Sequence, residues 1–179
     1  MLKKILIGLA VVVIVFVIIV ALQPAHYQVT RSATMSAPSA AVFEQINDFH
    51  KWDAWSPWAK LDPAMKTTFE GPPAGTGAIY TWVGNSKVGE GRMTLTESRT
   101  NDLIRLKLDF IKPFASTAMN EFNFKPEGDR TAVTWSMTGE NNFIGKAFCL
   151  FMNMDKMVGG DFEKGLASLK SVTEIAGKK

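Results

Sequence analysis

One cysteine, Cys149, stands among 179 residues, so no disulfide can form within the chain. That fits a periplasmic or a cytosolic domain and discriminates neither. There are two histidines, His26 and His50. Neither has a Cys, His or carboxylate at metal-ligand spacing, which predicts no metal site and no resident cofactor. No GxSxG elbow announces a nucleophilic serine. Cys149 lies in Ala147-Phe148-Cys149-Leu150-Phe151, an apolar setting that reads as a packed thiol. The glycine pairs Gly75-Thr76-Gly77 and Gly89-Glu90-Gly91 neither precede a helix nor lead into Lys-Ser/Thr, so they read as turn and strand-edge glycines. No candidate catalytic residue emerges. No repeat, low-complexity tract or second domain boundary interrupts the chain.

Charge of one sign is also scarce. Without Lys3 and Lys4 the 20 basic residues fall to 18, against 17 acidic ones, so the bulk of the chain is close to neutral. That balance predicts no nucleic-acid surface.

One long hydrophobic run is present. Residues 5–22, ILIGLAVVVIVFVIIVAL, carry no charged or polar side chain. At about 1.5 Å per residue the run spans roughly 27 Å, close to a hydrocarbon core. The rival reading is a cleaved signal peptide with Lys3 and Lys4 as its basic start. Against cleavage, the run exceeds the usual h-region of about 7–15 residues. Its exit, Ala21-Leu22-Gln23-Pro24-Ala25, offers no small-x-small site before the proline. The expected organisation is a cytoplasmic stub at 1–4, a transmembrane helix at 5–22, a short linker at 23–26 and one domain at 27–177. Lys3 and Lys4 place the N-terminus in the cytoplasm and the domain on the outer, periplasmic or extracellular, face.

Within that domain, alternation marks a strand at 27–35. Ser36 or Ser39 can cap a short amphipathic helix at 40–46, with Pro38 tolerated at its start. The stretch 50–58, HKWDAWSPW, reads as a second short turn or helix stopped by Pro57. Strands follow at 65–70, 78–83, 89–98, 103–110, 116–125 and 131–139, with turns at the Gly-, Pro- and Asn-rich junctions. The clearest is 103–110, where Ile104, Leu106, Leu108 and Phe110 alternate with Arg105, Lys107 and Asp109. Helical spacing returns at 143–158, Gly159-Gly160 is a candidate break, and 161–175 places Phe162, Leu166, Leu169 and Val172 on one face. Gly177 is a stop signal. A curved antiparallel sheet has one apolar face to cover, and the C-terminal helix is the only element long enough to cover it. The expected fold is α+β: a sheet wrapped around that helix, with space between them.

The stretches SAPSAAVFEQINDFHKWDAWSPW (36–58), GAIYTWVGNSKVGEGRMTL (77–95), FNFKPEGDRTAVTWSMTGE (122–140) and DKMVGGDFEKGLASLK (155–170) resemble the START-like, or SRPBCC, superfamily. The resemblance covers roughly residues 27–175 and is closest to the bacterial membrane-anchored branch of polyketide cyclase/dehydrase and lipid transport type. It implies the helix-grip fold and a cavity for an apolar ligand. It carries over no catalytic residue.

The candidate ligand-lining residues are Tyr80, Trp82, Met93, Leu106, Phe122, Trp135, Met137, Phe148, Met152 and Phe162. For Tyr80 and Trp82 the inward parity stays open, because Ile79, Thr81 and Val83 make the opposite face equally apolar. Nine methionines and twelve phenylalanines furnish a core or an adaptable pocket. Trp52, Trp55 and Trp58 pack the short helices onto the sheet, or else meet membrane or a pocket entrance. Arg31 shares a face with Val29 and Ala33 and is the least comfortable charge. Three functions fit these features: a membrane-tethered binding domain for a lipid-like or other hydrophobic small molecule, a cyclase- or hydratase-type enzyme using the same cavity, and a structural envelope protein with a filled core. The expected partners are the membrane and the ligand.

Overall fold

The computed structural model describes residues 1–176. Helix α1, Leu2–Ala21, takes in Lys3 and Lys4 ahead of the apolar run and ends one residue before Leu22. Its most apolar 18-residue window has a mean hydropathy of 3.2, and its 20 residues reach about 30 Å, long and apolar enough to cross a membrane. Val20 is the one residue of α1 buried by the rest of the chain.

Strand β1, His26–Met35, opens one residue earlier than expected and shortens the linker. Helix α2, Ser39–Asn47, follows with Pro38 at its N-cap. Neither serine caps it. The Ser39 hydroxyl pairs with Thr131 Oγ1 at 3.1 Å, and the Ser36 backbone N–H donates to Glu174 Oε1 at 2.7 Å. A 3-10 helix, Phe49–Ala54, is capped by Asp48, whose carboxylate accepts from the His50 N–H, and it ends before Pro57.

Six strands then run consecutively: β2 Lys66–Glu70, β3 Ile79–Val83, β4 Glu90–Arg99, β5 Leu103–Lys112, β6 Ser116–Glu127 and β7 Arg130–Glu140. All pairings are antiparallel, in the order β1-β7-β6-β5-β4-β3-β2, and β1 closes against β7 rather than β2. Two-residue periodicity decides which side chains face inward. Ile104, Leu106 and Leu108 on β5, Ala118, Phe122 and Phe124 on β6, and Val133, Trp135 and Met137 on β7 are buried on the concave face. Arg105 on the convex face bridges Glu97 and Glu121, so the expected outward parity of Glu121 holds. Gly91 sits on the inner face beneath Trp82, where a Cβ would overlap the indole ring.

Helix α3, Phe143–Cys149, and helix α4, Met154–Ala176, complete the chain. The break falls at 150–153, and Gly159-Gly160 continue inside α4. A Cβ at Gly159 would overlap the guanidinium of Arg31, so the glycine serves a close approach and not a helix end. Phe162, Leu166 and Leu169 are buried against the sheet. The stop expected at Gly177 lies outside the described residues. This is a helix-grip α+β fold, with α4 lying in the concave face of a seven-stranded sheet.

Candidate functional site

Helix α4 and α2 cover only part of the concave face. At the distal half the interior is filled. Phe122 packs among Trp52, Trp55 and Trp135, and Leu106 is wholly buried. Trp52 and Trp55 are pinned there by indole N–H donors to the carbonyls of Ile46 and Gln45, at 2.9 and 3.0 Å. Nearer α1 the sheet and helix diverge and leave a cavity of about 360 Å3. That is within the usual size of a small-molecule site, toward its lower end.

The cavity wall is mostly apolar. Trp135 forms its floor, stacked on Phe162 at 3.8 Å and 9°. Met93, Leu108 and Met137 line the sheet side, and Trp52, Trp58 and Ala59 the side of the short helices. The Trp cluster therefore does both things considered for it: Trp55 packs the core, while Trp52 and Trp58 also present an edge to the cavity.

Two polar groups stand inside. Asn120 is 4% exposed, and its Oδ1 accepts from Trp135 Nε1 at 3.0 Å. Because Trp Nε1 can only donate, this bond fixes the amide orientation. The Asn120 Nδ2 group, a pure donor, makes no hydrogen bond to a described residue and lies on the cavity side. Tyr80 also lines the cavity, and its hydroxyl makes no hydrogen bond to a described residue. Burial, with the nearby charge of Asp53, pushes its pKa up to about 12, so the phenol stays protonated. Asp53, Ser56, Lys87 and Asp161 stand around the edge, where the cavity meets solvent.

Of the residues singled out from the sequence, Tyr80, Trp82, Met93, Trp135, Met137 and Phe162 come together on this wall. Leu106 and Phe122 face inward but lie in the filled half, behind the tryptophans. Phe148 and Met152 do not reach the cavity. They are 47% and 39% exposed, because the chain turns at 150–153 and the helix meets the core only from Met154 onward. Sequence reasoning passed over Asn120, whose inward parity between Ala118 and Phe122 was the available signal. It also missed Met65, the first residue of the expected strand at 65–70 and just ahead of β2, and Val88, which sits in a hairpin turn.

Elsewhere the candidate groups are satisfied structurally. Arg31 reaches from β1 to α4, bonding Asp155 at 2.9 Å and Glu163 at 2.6 Å. That pairing holds the Asp155 carboxyl below its ordinary pKa. His26 pairs with Glu140 at 3.1 Å. His50 stacks on Phe69 at 4.1 Å beside a shallower cleft of about 240 Å3 at the far end of the sheet. Cys149 accepts from Asn141 Nδ2 at 3.6 Å. Among the described residues no group of three or more His, Cys, Asp or Glu side chains is arranged to hold a metal ion.

A single curved sheet gripping a C-terminal helix over an apolar cavity defines the START-like, or SRPBCC, class. Solved structures share this fold. Protein CV1439 from Chromobacterium violaceum matches at a TM-score of 0.57 and 13% identity, over 82% of this chain and 96% of that one. Protein Ms6760 from Mycobacterium smegmatis matches at 0.57 and 14%, over 85% and 92%. The di-domain ARO/CYC StfQ from the steffimycin biosynthetic pathway matches at 0.63 and 10%, over 87% of this chain and 53% of that one. No curated protein matches the sequence. Within the class, the chain belongs to the polyketide cyclase / dehydrase and lipid transport family, whose pattern matches residues 26–174.

Proposed function

We propose that the chain is a membrane-tethered binding domain that holds one lipid-like or other hydrophobic small molecule between the sheet and α4. In this reading α1 is retained as a membrane span, the N-terminus is cytoplasmic, and the domain lies on the outer face. The observation that carries the ligand is the Asn120 amide. Its Nδ2 group makes no hydrogen bond to a described residue and is set in a largely apolar cavity wall. A ligand oxygen accepts from it, a bond that contributes about 0.5–1.5 kcal/mol. The preferred ligand therefore has an apolar body and a carbonyl, ester or carboxyl oxygen. Each 100 Å2 of apolar surface it buries contributes about 2.5 kcal/mol.

The enzyme reading has less behind it. A cyclase or hydratase needs an ionisable group inside the cavity with a pKa moved toward neutrality. Tyr80 is moved the other way.

The test uses the full chain in detergent micelles, with native mass spectrometry for copurified ligand and titration with a naturally fluorescent polyene fatty acid. Expected is saturable one-to-one binding, weakened about tenfold in Asn120→Leu (about 1.4 kcal/mol) and abolished in Met137→Trp, which fills the cavity. Apo protein alone, with no saturable binding of the probe, overturns the proposal.

A further inference from the structure

The strand register places one end of all seven strands beside α1. His26 pairs with Glu140, Gly139 with Ala118, Lys112 with Glu90, Glu90 with Val83, and Val83 with Lys66. This row is joined to α1 directly: Lys146 Nζ on α3 donates to the Ala21 carbonyl at 3.3 Å, and the Asn141 N–H to the Ala25 carbonyl at 2.8 Å. The hairpins at 84–89 and 113–115, α3 and the start of α4 all belong to this end.

Exposed large apolar side chains outside α1 gather at the same end. Phe114 is 68% exposed, Ile144 62% and Phe151 80%, and Val83, Ile111 and Phe143 stand with them. At the opposite end only Phe69 and Ile175 are comparable among the described residues, and the turns there carry Arg99, Asp102, Glu127 and Arg130. Lys66 and Lys87 form no salt bridge to a described residue and stand beside the apolar end, suited to lipid phosphates. The cavity reaches solvent here too: its exposed wall residues Lys87 and Met157 lie on the first hairpin and the start of α4, and the third, Asp53, on the 3-10 helix.

We infer that this end of the domain is seated in the head-group layer of the phospholipid bilayer that α1 crosses, with the cavity mouth opening onto lipid rather than water. The inference rests on the reading of α1 as a retained span. Six exposed large apolar side chains at the end of the domain from which α1 emerges match an interfacial surface, where such groups sit about 5–10 Å deep. A ligand then moves between bilayer and cavity without crossing water.

The experiment places a nitroxide at Phe114→Cys, Ile144→Cys and Phe151→Cys, and at Asp129→Cys on the far end, each with Cys149→Ser in the full chain. The proteins are reconstituted in vesicles of phosphatidylcholine and phosphatidylglycerol. Collision with oxygen exceeding collision with an aqueous nickel chelate severalfold at the first three positions, and the reverse at 129, supports the seating. Aqueous accessibility at all four overturns it. Dipolar broadening between labels on the first three assigns the surface to a second copy and likewise overturns it. A second measurement needs no label. Phe114→Asp combined with Phe151→Asp slows uptake of the polyene fatty acid from vesicles at least tenfold while binding in micelles is unchanged; unchanged uptake overturns the lipid-facing mouth. Embedded labels with no binding in micelles refute the ligand reading and leave the seating supported.

Discussion

Arg31 on β1 occupies the space that a side chain at residue 159 of α4 would need. The guanidinium lies under the helix and bonds Asp155 and Glu163, one turn to either side of the glycine. A charge on the inward parity of an edge strand is thereby led out to carboxylates, and α4 is braced at the half where it stands off the sheet.

This brace makes two adjacent glycines respond oppositely. Gly160 has no atom within 4 Å of a built Cβ, so Gly160→Ala gains helix propensity and stabilises by about 0.5–1 kcal/mol. Gly159→Ala displaces Arg31 and destabilises by about 1–3 kcal/mol, as overpacking does. Urea unfolding of both variants reads the contrast, and equal midpoints would show that Arg31 moves aside freely.

Acid weakens the brace in a defined direction. The hydrogen bond from Arg31 lowers the folded-state pKa of Asp155, so the stabilisation is complete above the ordinary carboxylate pKa of about 3.9 and is lost as pH falls through the lower folded value. Asp155→Asn is therefore less stable than the parent at neutral pH, and the two converge as pH falls through the lowered folded-state pKa. Denaturant midpoints against pH measure this. A gap that persists at the lowest pH would mean that Asp155 acts through packing alone.

Alkali titrates the cavity. Both tyrosines of the chain, Tyr27 and Tyr80, are raised above their ordinary value of 10.0, mainly by burial, and Tyr80 reaches about 12. The unfolded chain releases these protons first, so stability falls as pH rises from 10.0 toward 12. Ultraviolet phenolate absorbance follows the titration, and Tyr80→Phe removes the later step. A phenolate appearing at its ordinary pH would place the Tyr80 ring in water.

Strand alternation made most of the sheet legible, because a face that must be buried admits one parity. The inward sets on β5, β6 and β7, and the Phe162-Leu166-Leu169 stripe, follow from it. The position of the helix break did not. Residues 148–157 are apolar enough to continue a helix, and Gly159-Gly160 looks like the interruption until Arg31, 128 positions earlier, is seen to need the space. The same shift removed Phe148 and Met152 from the expected wall. Asn120 was legible in principle as a polar residue among inward apolar ones, but its free donor depends on Trp135, which reaches it from the neighbouring strand. Nor does alternation tell an inward residue in the filled half, such as Leu106, from one on the cavity wall, such as Leu108. That depends on how far α4 stands from the sheet.

The four residues between α1 and β1 have a further consequence. At about 3.3–3.6 Å per residue they reach at most roughly 14 Å. Under the proposed tethered reading, a domain held this close to the bilayer would meet its ligand by lateral diffusion, and its occupancy would follow the ligand's mole fraction in the lipid instead of its concentration in water.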